Sequence, residues 1–543
     1  MKKLKIKKIS IPGNSLLLLA VFLLTSVFAS AQEETVQENQ LKFARLLRLV
    51  ESYYVDTANV TKLTEDAIVH LLSELDPHST YISKEEVDKM NEPLKGNFEG
   101  VGISFNIYKD SLMVTSVISG GPSEKVGLRD GDRIVEVDGR NIAGIGLKNS
   151  DVFDLLRGPK GTEVNLKVYR KTEPDLLAFK IIRDKIPIFS LDASYMIDKS
   201  TGYIKLNKFA ATTNEEFETA MNELRHEGIQ NLILDLRGNG GGYLKTAIEI
   251  SDQFLGDGKL VVYTDGLNDP KRDYDATAAG DFEKGNLVVL VDEGTASASE
   301  IVTGAVQDWD RGLVIGRRSF GKGLVQKPFF LTDGSMIRLT TAHYYTPSGR
   351  CIQKPYEEGI SEYKRDYANR MSNGEMFNAD SIHFDDKLKH KTLVNGRNVY
   401  GGGGIMPDIF VALDTSHYYG YLNQLHRKNV TNNYVLDFVD SHRDELKTKY
   451  PDFESFNSKF RIGDDVIKEI VARGEKEGVE KNEESLAFVK DNLKKEIKAY
   501  IARDLFSRND MFKIFNQDDE SISRALEVLK NQNEYNNLLV STE

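Results

Sequence analysis

The sequence predicts a multidomain α+β chain, and three patterns predict it. From residue 186 to 414 short apolar runs alternate with helix-period stretches, as in an α/β core with buried strands. From 96 to 185 strand-length runs are punctuated by glycine-rich turns, as in a compact β-rich module. Residues 32–95 and 415–543 are helical by periodicity.

Residues 1–31 read as a secretory signal. Met1 to Lys8 carries five lysines, Leu16 to Phe28 is mostly apolar, and Ala29-Ser30-Ala31 supplies a small-x-small cleavage pattern. As a helix, that apolar run spans roughly 20 Å, short of the roughly 30 Å of a hydrocarbon core. Export to the periplasm is the expectation, and an uncleaved anchor, peripheral to the membrane, is its alternative. The single cysteine, Cys351, excludes both an intrachain disulfide and lipid attachment at the leader. No second run is long enough to span a membrane.

The 543 residues carry a net charge of −12 without a basic block, which argues against nucleic acid as a partner. No cofactor is expected. None of the nine histidines stands in an H-E-x-x-H arrangement, and one cysteine cannot build a thiolate cluster.

In the first helical region Leu41, Phe43, Ala44, Leu47, Val50 and Tyr54 recur mostly at three- and four-residue steps. A second amphipathic segment, Leu63 to Leu75, ends at Asp76-Pro77. His78 follows in a turn, where histidine is more often a local hydrogen-bonder than a base. In the β module, strands are expected at Gly102–Tyr108, Leu112–Val117, Arg133–Val137 and Glu163–Arg170. Gly100-Val101-Gly102-Ile103 leads into the first of them. Consecutive amides in such a turn form a nest for a terminal carboxylate, and the following strand edge accepts a peptide as an added strand.

In the α/β region the chemistry gathers at three places. Gly294-Thr295-Ala296-Ser297-Ala298-Ser299-Glu300 joins a buried strand to a helix. Such a turn puts a hydroxyl where free amides and the helix dipole hold an oxyanion. Ser297-x-x-Glu300 equally fits a capping box. Downstream, Ser319-Phe320-Gly321-Lys322-Gly323-Leu324-Val325-Gln326 reads as extended, with Lys322, Leu324 and Gln326 on one face. Buried, Lys322 loses its charge and serves as a base; solvated, it is an ordinary edge-strand lysine. Upstream, Asp235-Leu236-Arg237-Gly238-Asn239-Gly240-Gly241-Gly242 is not a dinucleotide loop, because Tyr243 stands where G-x-G-x-x-G needs glycine. Its glycine content exceeds what a tight turn requires and suits close approach to a substrate carbonyl.

Together, Thr295 to Glu300, Phe320-Gly321-Lys322-Gly323 and Gln326 resemble the carboxy-terminal processing proteases, also called tail-specific proteases. The resemblance implies a crotonase/Clp-like α/β serine protease core. It makes Ser297 the nucleophile, Lys322 its base and Gln326 the residue that orients the lysine. It assigns the oxyanion hole to the amides of Gly241 and Ala298. Gly100 to Ile103, with Gly127-Leu128-Arg129-Asp130-Gly131-Asp132-Arg133-Ile134, resembles a PDZ domain. Its implied partners are polypeptides with apolar C-terminal tails, and Arg157, by the same analogy, would report groove occupancy to the protease. In this family the N-terminal helices support the fold and sometimes dimerise. The closing motifs Thr346-Pro347-Ser348-Gly349-Arg350 and Gly404-Ile405-Met406-Pro407-Asp408 are similar too, but residues 356–400 intervene here. They read as a polar surface excursion.

Beyond residue 414 the resemblance fades. Helices are expected at Tyr434–Tyr450, Asp465–Lys476 and Glu484–Leu505, the last with the stripe Leu486, Val489, Leu493, Ile497 and Ile501. A stripe of that kind is bundle core or, alternatively, a homodimer or adaptor surface. Two rivals to the tail-specific protease stand: a non-catalytic PDZ scaffold, and a Ser-His-Asp hydrolase with His343 as base.

Overall fold

A computed structural model describes residues 35–108, 110–118, 120–383, 385–414 and 420–540. The signal sequence expected at 1–31 lies outside the described residues. Among them, no helix is long and apolar enough to cross a membrane.

The chain divides after Leu75 into two compact units. In the first, residues 35–53 and Val60–Ser73 are helical, as the periodicity requires. The side chain of Asn59 caps the second helix by accepting the Lys62 amide at 3.0 Å.

The second unit is built on a six-stranded sheet. Its strands run in the order Leu191–Met196, Thr201–Leu206, Asn231–Asp235, Asn286–Val291, Leu313–Gly316, Ile409–Phe410. Only the first pairing is antiparallel. Continuous apolar sequence is explained by the covering of both faces. Leu287, Val289 and Val291 pack with helices Thr213–His226, Leu244–Asp252 and Ala298–Asp308. The alternating residues Val288 and Leu290 pack with Ile522, Ala525, Val528 and Tyr535 of helices Glu520–Lys530 and Gln532–Leu539. Fully burying each such side chain stabilises by about 1.5–3 kcal/mol.

The last two helices therefore complete the α/β core rather than extend a separate C-terminal region. The stretch 421–515 instead forms its own helical cluster. The stripe of helix Glu483–Leu505 is spent inside it: Val489, Leu493, Ile497 and Ile501 are fully buried there.

A second, antiparallel sheet brings Thr80–Ile82, Met336–Tyr345, Leu260–Gly266 and Asp269–Asp275 together, with Leu324–Phe330 pairing Met336–Tyr345. Strand Leu260–Gly266 belongs to this sheet and not to the six-stranded one. Its partners are the polar strand Asp269–Asp275, which follows it immediately, and Met336–Tyr345.

The β module has five main strands around a closed apolar cluster. Ile103–Tyr108 is its edge strand, and helix Asn149–Leu156 lies alongside, with Phe105 and Phe153 in edge-to-face contact at 5.5 Å.

Candidate active site

Strand Asn286–Val291 delivers the chain to a turn held on both sides. The Thr295 hydroxyl donates to Leu236 O at 2.9 Å, the Ala296 amide to Asn239 O at 3.0 Å, and Ser299 Oγ to Asn239 O at 2.9 Å. These bonds staple the serine turn to the glycine loop. Ser297 then takes φ 56°, ψ −114°, outside the regions L-residues normally occupy. Strain of this kind costs of order 1–3 kcal/mol and persists only where neighbours over-determine it. Ser297 is half-buried at the head of helix Ala298–Asp308, every residue of which is buried.

Glu300 does more than the capping-box reading allows. Its carboxylate is fully buried and accepts four hydrogen bonds. Ser297 N–H (2.8 Å) and Lys322 N–H (2.9 Å) reach Oε2, while Ser319 O–H (2.5 Å) and Gly321 N–H (2.7 Å) reach Oε1. Burial pushes its carboxyl up, and the four donors oppose that. One carboxylate thus fixes the backbone of both the serine and the lysine.

Lys322 stands just before strand Leu324–Phe330, and a register irregularity falls between Val325 and Gln326. Its Nζ donates to Gln326 Oε1 at 2.9 Å, a partner that adds no charge. Burial pushes the amine below the ordinary lysine range. The Arg338 charge acts in the same sense, while Glu300 and Asp76 oppose. Ser297, Lys322, Gln326 and Arg338 all line one cleft of about 1170 Å³, together with Gly241, Ala298, Leu244, Ile301 and Tyr344. Among the described residues, no hydrogen bond joins Lys322 Nζ to Ser297 Oγ. The serine-to-base contact is open in this conformation, as is common before substrate binds.

Gly241 approaches Ser297 closely. With φ +96°, a Cβ placed on it would lie 2.8 Å from Ala296 O and 2.9 Å from both Ala298 N and Ser297 Cβ. Its amide, however, already donates to Asn239 Oδ1 at 2.9 Å. The expectation of a free Gly241 donor is corrected here. Asn239 makes an Asx turn across the loop, a signal present in the Asn-x-Gly spacing. The Ala298 amide, first in its helix, has no partner among the described residues.

In the β module, Gly102 has φ +79°, and Val101 O accepts both the amide and the hydroxyl of Ser123, at 3.1 and 2.7 Å. Gly100 precedes this turn, and Ile103 opens the edge strand. Arg157 does not touch the catalytic loops. Its guanidinium lies over Phe98 and Phe153, 4.8 and 4.7 Å from the ring centroids, and pairs with Glu92 at 2.5 Å. Glu92 sits on helix Lys84–Lys95, whose Asn91, Leu94 and Lys95 line the cleft.

His343 is outside the cleft lining, with Nδ1 3.9 Å from Cys351 Sγ. His78 Nε2 lies 2.7 Å from the Tyr363 hydroxyl. Burial first, then the Lys322 charge, brings His78 down to about 4. At that value it is neutral near pH 7. The stretch 356–400 is mostly exposed among its described residues, as expected of a surface excursion, but Tyr363 and Arg370 of helix Ile360–Ser372 are buried. Sequence reading missed Arg338 and Asn239 as site residues. For Arg338 the available signal was an arginine two positions from Met336, on the same face of the strand Met336–Tyr345.

Residues 200–362 match the peptidase family S41 model and 113–170 the PDZ domain model; 421–507 match a family of unknown function. A carboxy-terminal-processing protease of Bartonella bacilliformis is 36% identical over 343 residues, covering 61% of this chain and 78% of its own. A probable CtpA-like serine protease of Staphylococcus aureus is 34% identical over 378 residues, covering 68% and 74%. A solved photosystem II D1 C-terminal processing protease is 30% identical, covering 58% of this chain and 90% of its own, with a TM-score of 0.33. The fold and these matches define a serine peptidase carrying a PDZ domain. The chain belongs to the carboxy-terminal-processing proteases of peptidase family S41.

Proposed function

We propose that this protein is an exported, periplasmic endopeptidase that captures polypeptides by apolar C-terminal tails and cleaves them with a Ser297–Lys322 dyad. The observation that carries the reading is the strained Ser297 sharing one cleft with a half-buried lysine whose amine donates to the neutral Gln326. Export rests on the sequence of residues 1–31. Tail capture rests on the Gly100–Ile103 turn opening an unpaired strand edge beside helix Asn149–Leu156. Arg157, through Glu92, joins the end of that helix to the helix that borders the cleft. Functional division of the chain follows: leader 1–31, N-terminal helices 32–95, PDZ domain 96–185, protease core from 186 and C-terminal helices.

In the reaction, neutral Lys322 Nζ removes the Ser297 hydroxyl proton as Oγ attacks the scissile carbonyl. The tetrahedral oxyanion takes the Ala298 amide. It takes the Gly241 amide only if substrate displaces the Asn239 side chain. Collapse breaks the C–N bond, the departing amine takes the proton from the Lys322 ammonium, and an acyl ester remains on Ser297. Water, deprotonated by the same amine, then attacks the ester and releases the new carboxyl terminus. Gln326 keeps the amine aimed without charging it.

The test is hydrolysis of a peptide panel by the mature protein and by Ser297→Ala, Lys322→Ala and His343→Gln. Loss of roughly 10⁴-fold or more in the first two, with His343→Gln unchanged, is expected. Undiminished hydrolysis by Lys322→Ala would refute the dyad. Amidating the peptide terminus lowers kcat/KM if the tail is captured, and no change rejects tail capture.

A further inference from the structure

Lys322 is reached through Arg318, Ser319, Phe320 and Gly321, and this approach runs against residues 356–400. The Arg370 guanidinium, 2% exposed, donates through Nη1 to Arg318 O at 3.1 Å and Ser319 O at 2.9 Å, and through Nη2 to Phe320 O at 3.4 Å. Its Nε lies 3.0 Å from Asp366 Oδ2. That carboxylate also holds Lys354 Nζ at 3.0 Å, and the ammonium sits between the Phe320 and Tyr363 rings, 4.0 and 4.1 Å from their centroids. Glu375 grips the Arg318 guanidinium with both oxygens, at 2.6 and 2.7 Å. The Lys354 amide donates to Gly321 O at 2.9 Å.

Three consecutive carbonyls turned toward one buried cation impose a curvature that the loop's own residues do not. Buried carbonyls left without donors would swing toward water and take the next residues with them. The other side of the loop is held by Glu300, so the loop lies between one buried anion and one buried cation.

We propose that the insertion at 356–400 positions the base of the protease, with Arg370 as the positioning residue that sets where the Lys322 amine points. The proposal rests on the Ser–Lys reading of the site. Arg370 touches neither substrate nor the reacting atoms; it acts through the backbone of residues 318–320. The groups that face the amine are Arg338, Glu300, Asp76 and His78, none of them in the insertion. A change at Arg370 therefore alters the amine by moving it among these groups, not by removing a charge beside it.

The experiment measures kcat and KM against pH for the full chain and for Arg370→Met and Arg370→Lys, alongside thermal unfolding. Arg370→Met is expected to lower kcat by ~10²-fold, the scale of a misplacement of about an ångström. KM is expected to stay within about twofold, since peptide-binding surfaces are untouched. The acid limb of kcat/KM moves to higher pH as the amine gains water. Arg370→Lys restores part of kcat, because an ammonium still donates to one or two of the carbonyls. Two outcomes overturn the proposal: kcat held within about twofold in Arg370→Met, or kcat and thermal stability falling together with the acid limb unmoved and lysine no better than methionine. If Arg370→Met does not fold, Tyr363→Leu loosens the same clamp from the aromatic side, and an unmoved acid limb there overturns it. Lys322→Met in the otherwise unaltered chain separates the two levels. Retained hydrolysis refutes the Ser–Lys reading itself, whereas its loss with an Arg370-insensitive profile refutes only the role given to the insertion.

Discussion

The serine turn and the lysine loop meet at one carboxylate, yet they are held in different ways. The serine turn is stapled mainly to one loop, with Thr295, Ala296 and Ser299 bonding to Leu236 or Asn239, while Phe320 N–H reaches Thr295 O at 2.9 Å and the Tyr344 hydroxyl reaches Ser297 O at 3.1 Å. The lysine loop is gripped by residues scattered through the chain, Glu300, Lys354, Arg370 and Glu375, with Ile405 accepting the Ser319 amide. The difference teaches where each half of the proposed dyad gets its precision. The strand-to-helix turn draws most of its bonds from one loop, whereas an extended segment rich in glycine takes its path from whatever surrounds it.

Glu300 is the place to break the comparison, because both halves depend on it. In Glu300→Gln an amide NH₂ would face two donors, at a site where each lost charge-assisted bond is worth about 1.5–3 kcal/mol. We expect a loss of about 3 kcal/mol or more in unfolding free energy and kcat/KM lowered by roughly 10²-fold or beyond. Urea unfolding and steady-state hydrolysis measure the two; wild-type behaviour in both would remove Glu300 as the shared anchor.

Gly241→Ala probes the serine side alone. A methyl at φ +96°, under 3 Å from backbone atoms that cannot move aside, displaces either the glycine loop or Ser297. A drop in kcat/KM of about 10–100-fold is expected, with the acid limb unchanged because Lys322 is not involved. A shifted limb would show that the two halves are not independently held.

Arg338→Met probes the lysine side most gently. Arg338 is second only to burial in pushing the Lys322 amine below the ordinary lysine range. Removing its positive charge makes protonation of Lys322 easier, so the pKa rises. The base-requiring limb of kcat/KM then moves to higher pH. At high pH, where the amine is neutral in both proteins, rates converge to within a few-fold. A limb that stays put, or moves to lower pH, would contradict the electrostatic account of the base.

Much of this site was legible without coordinates because its parts lie on short, strongly patterned stretches. Ser297 at a helix head follows from an apolar strand, a small-residue turn and an apolar-periodic helix. The continuous apolar run Leu287 to Val291 predicted a strand buried on both faces. The sequence did not disclose what covers the second face. Helices Glu520–Lys530 and Gln532–Leu539 are amphipathic like any bundle helix, and amphipathicity states that a face is buried without naming its partner. The Gly241 amide was misjudged for a similar reason. Glycine permits the close approach, but whether its N–H is free depends on where the Asn239 side chain turns.

By itself the sequence determined the family, the strand–turn–helix that presents Ser297, and which groups are proposed to react. Those depend on residue types within a few positions of one another, where backbone geometry leaves few choices. Only the tertiary structure decided that Lys322 is half-buried, that Arg338 faces it, that Glu300 joins both halves, and that a polar insertion closes over the lysine loop. Desolvation and charge at an amine come from groups far apart in the chain, and only folding brings them within reach of one another.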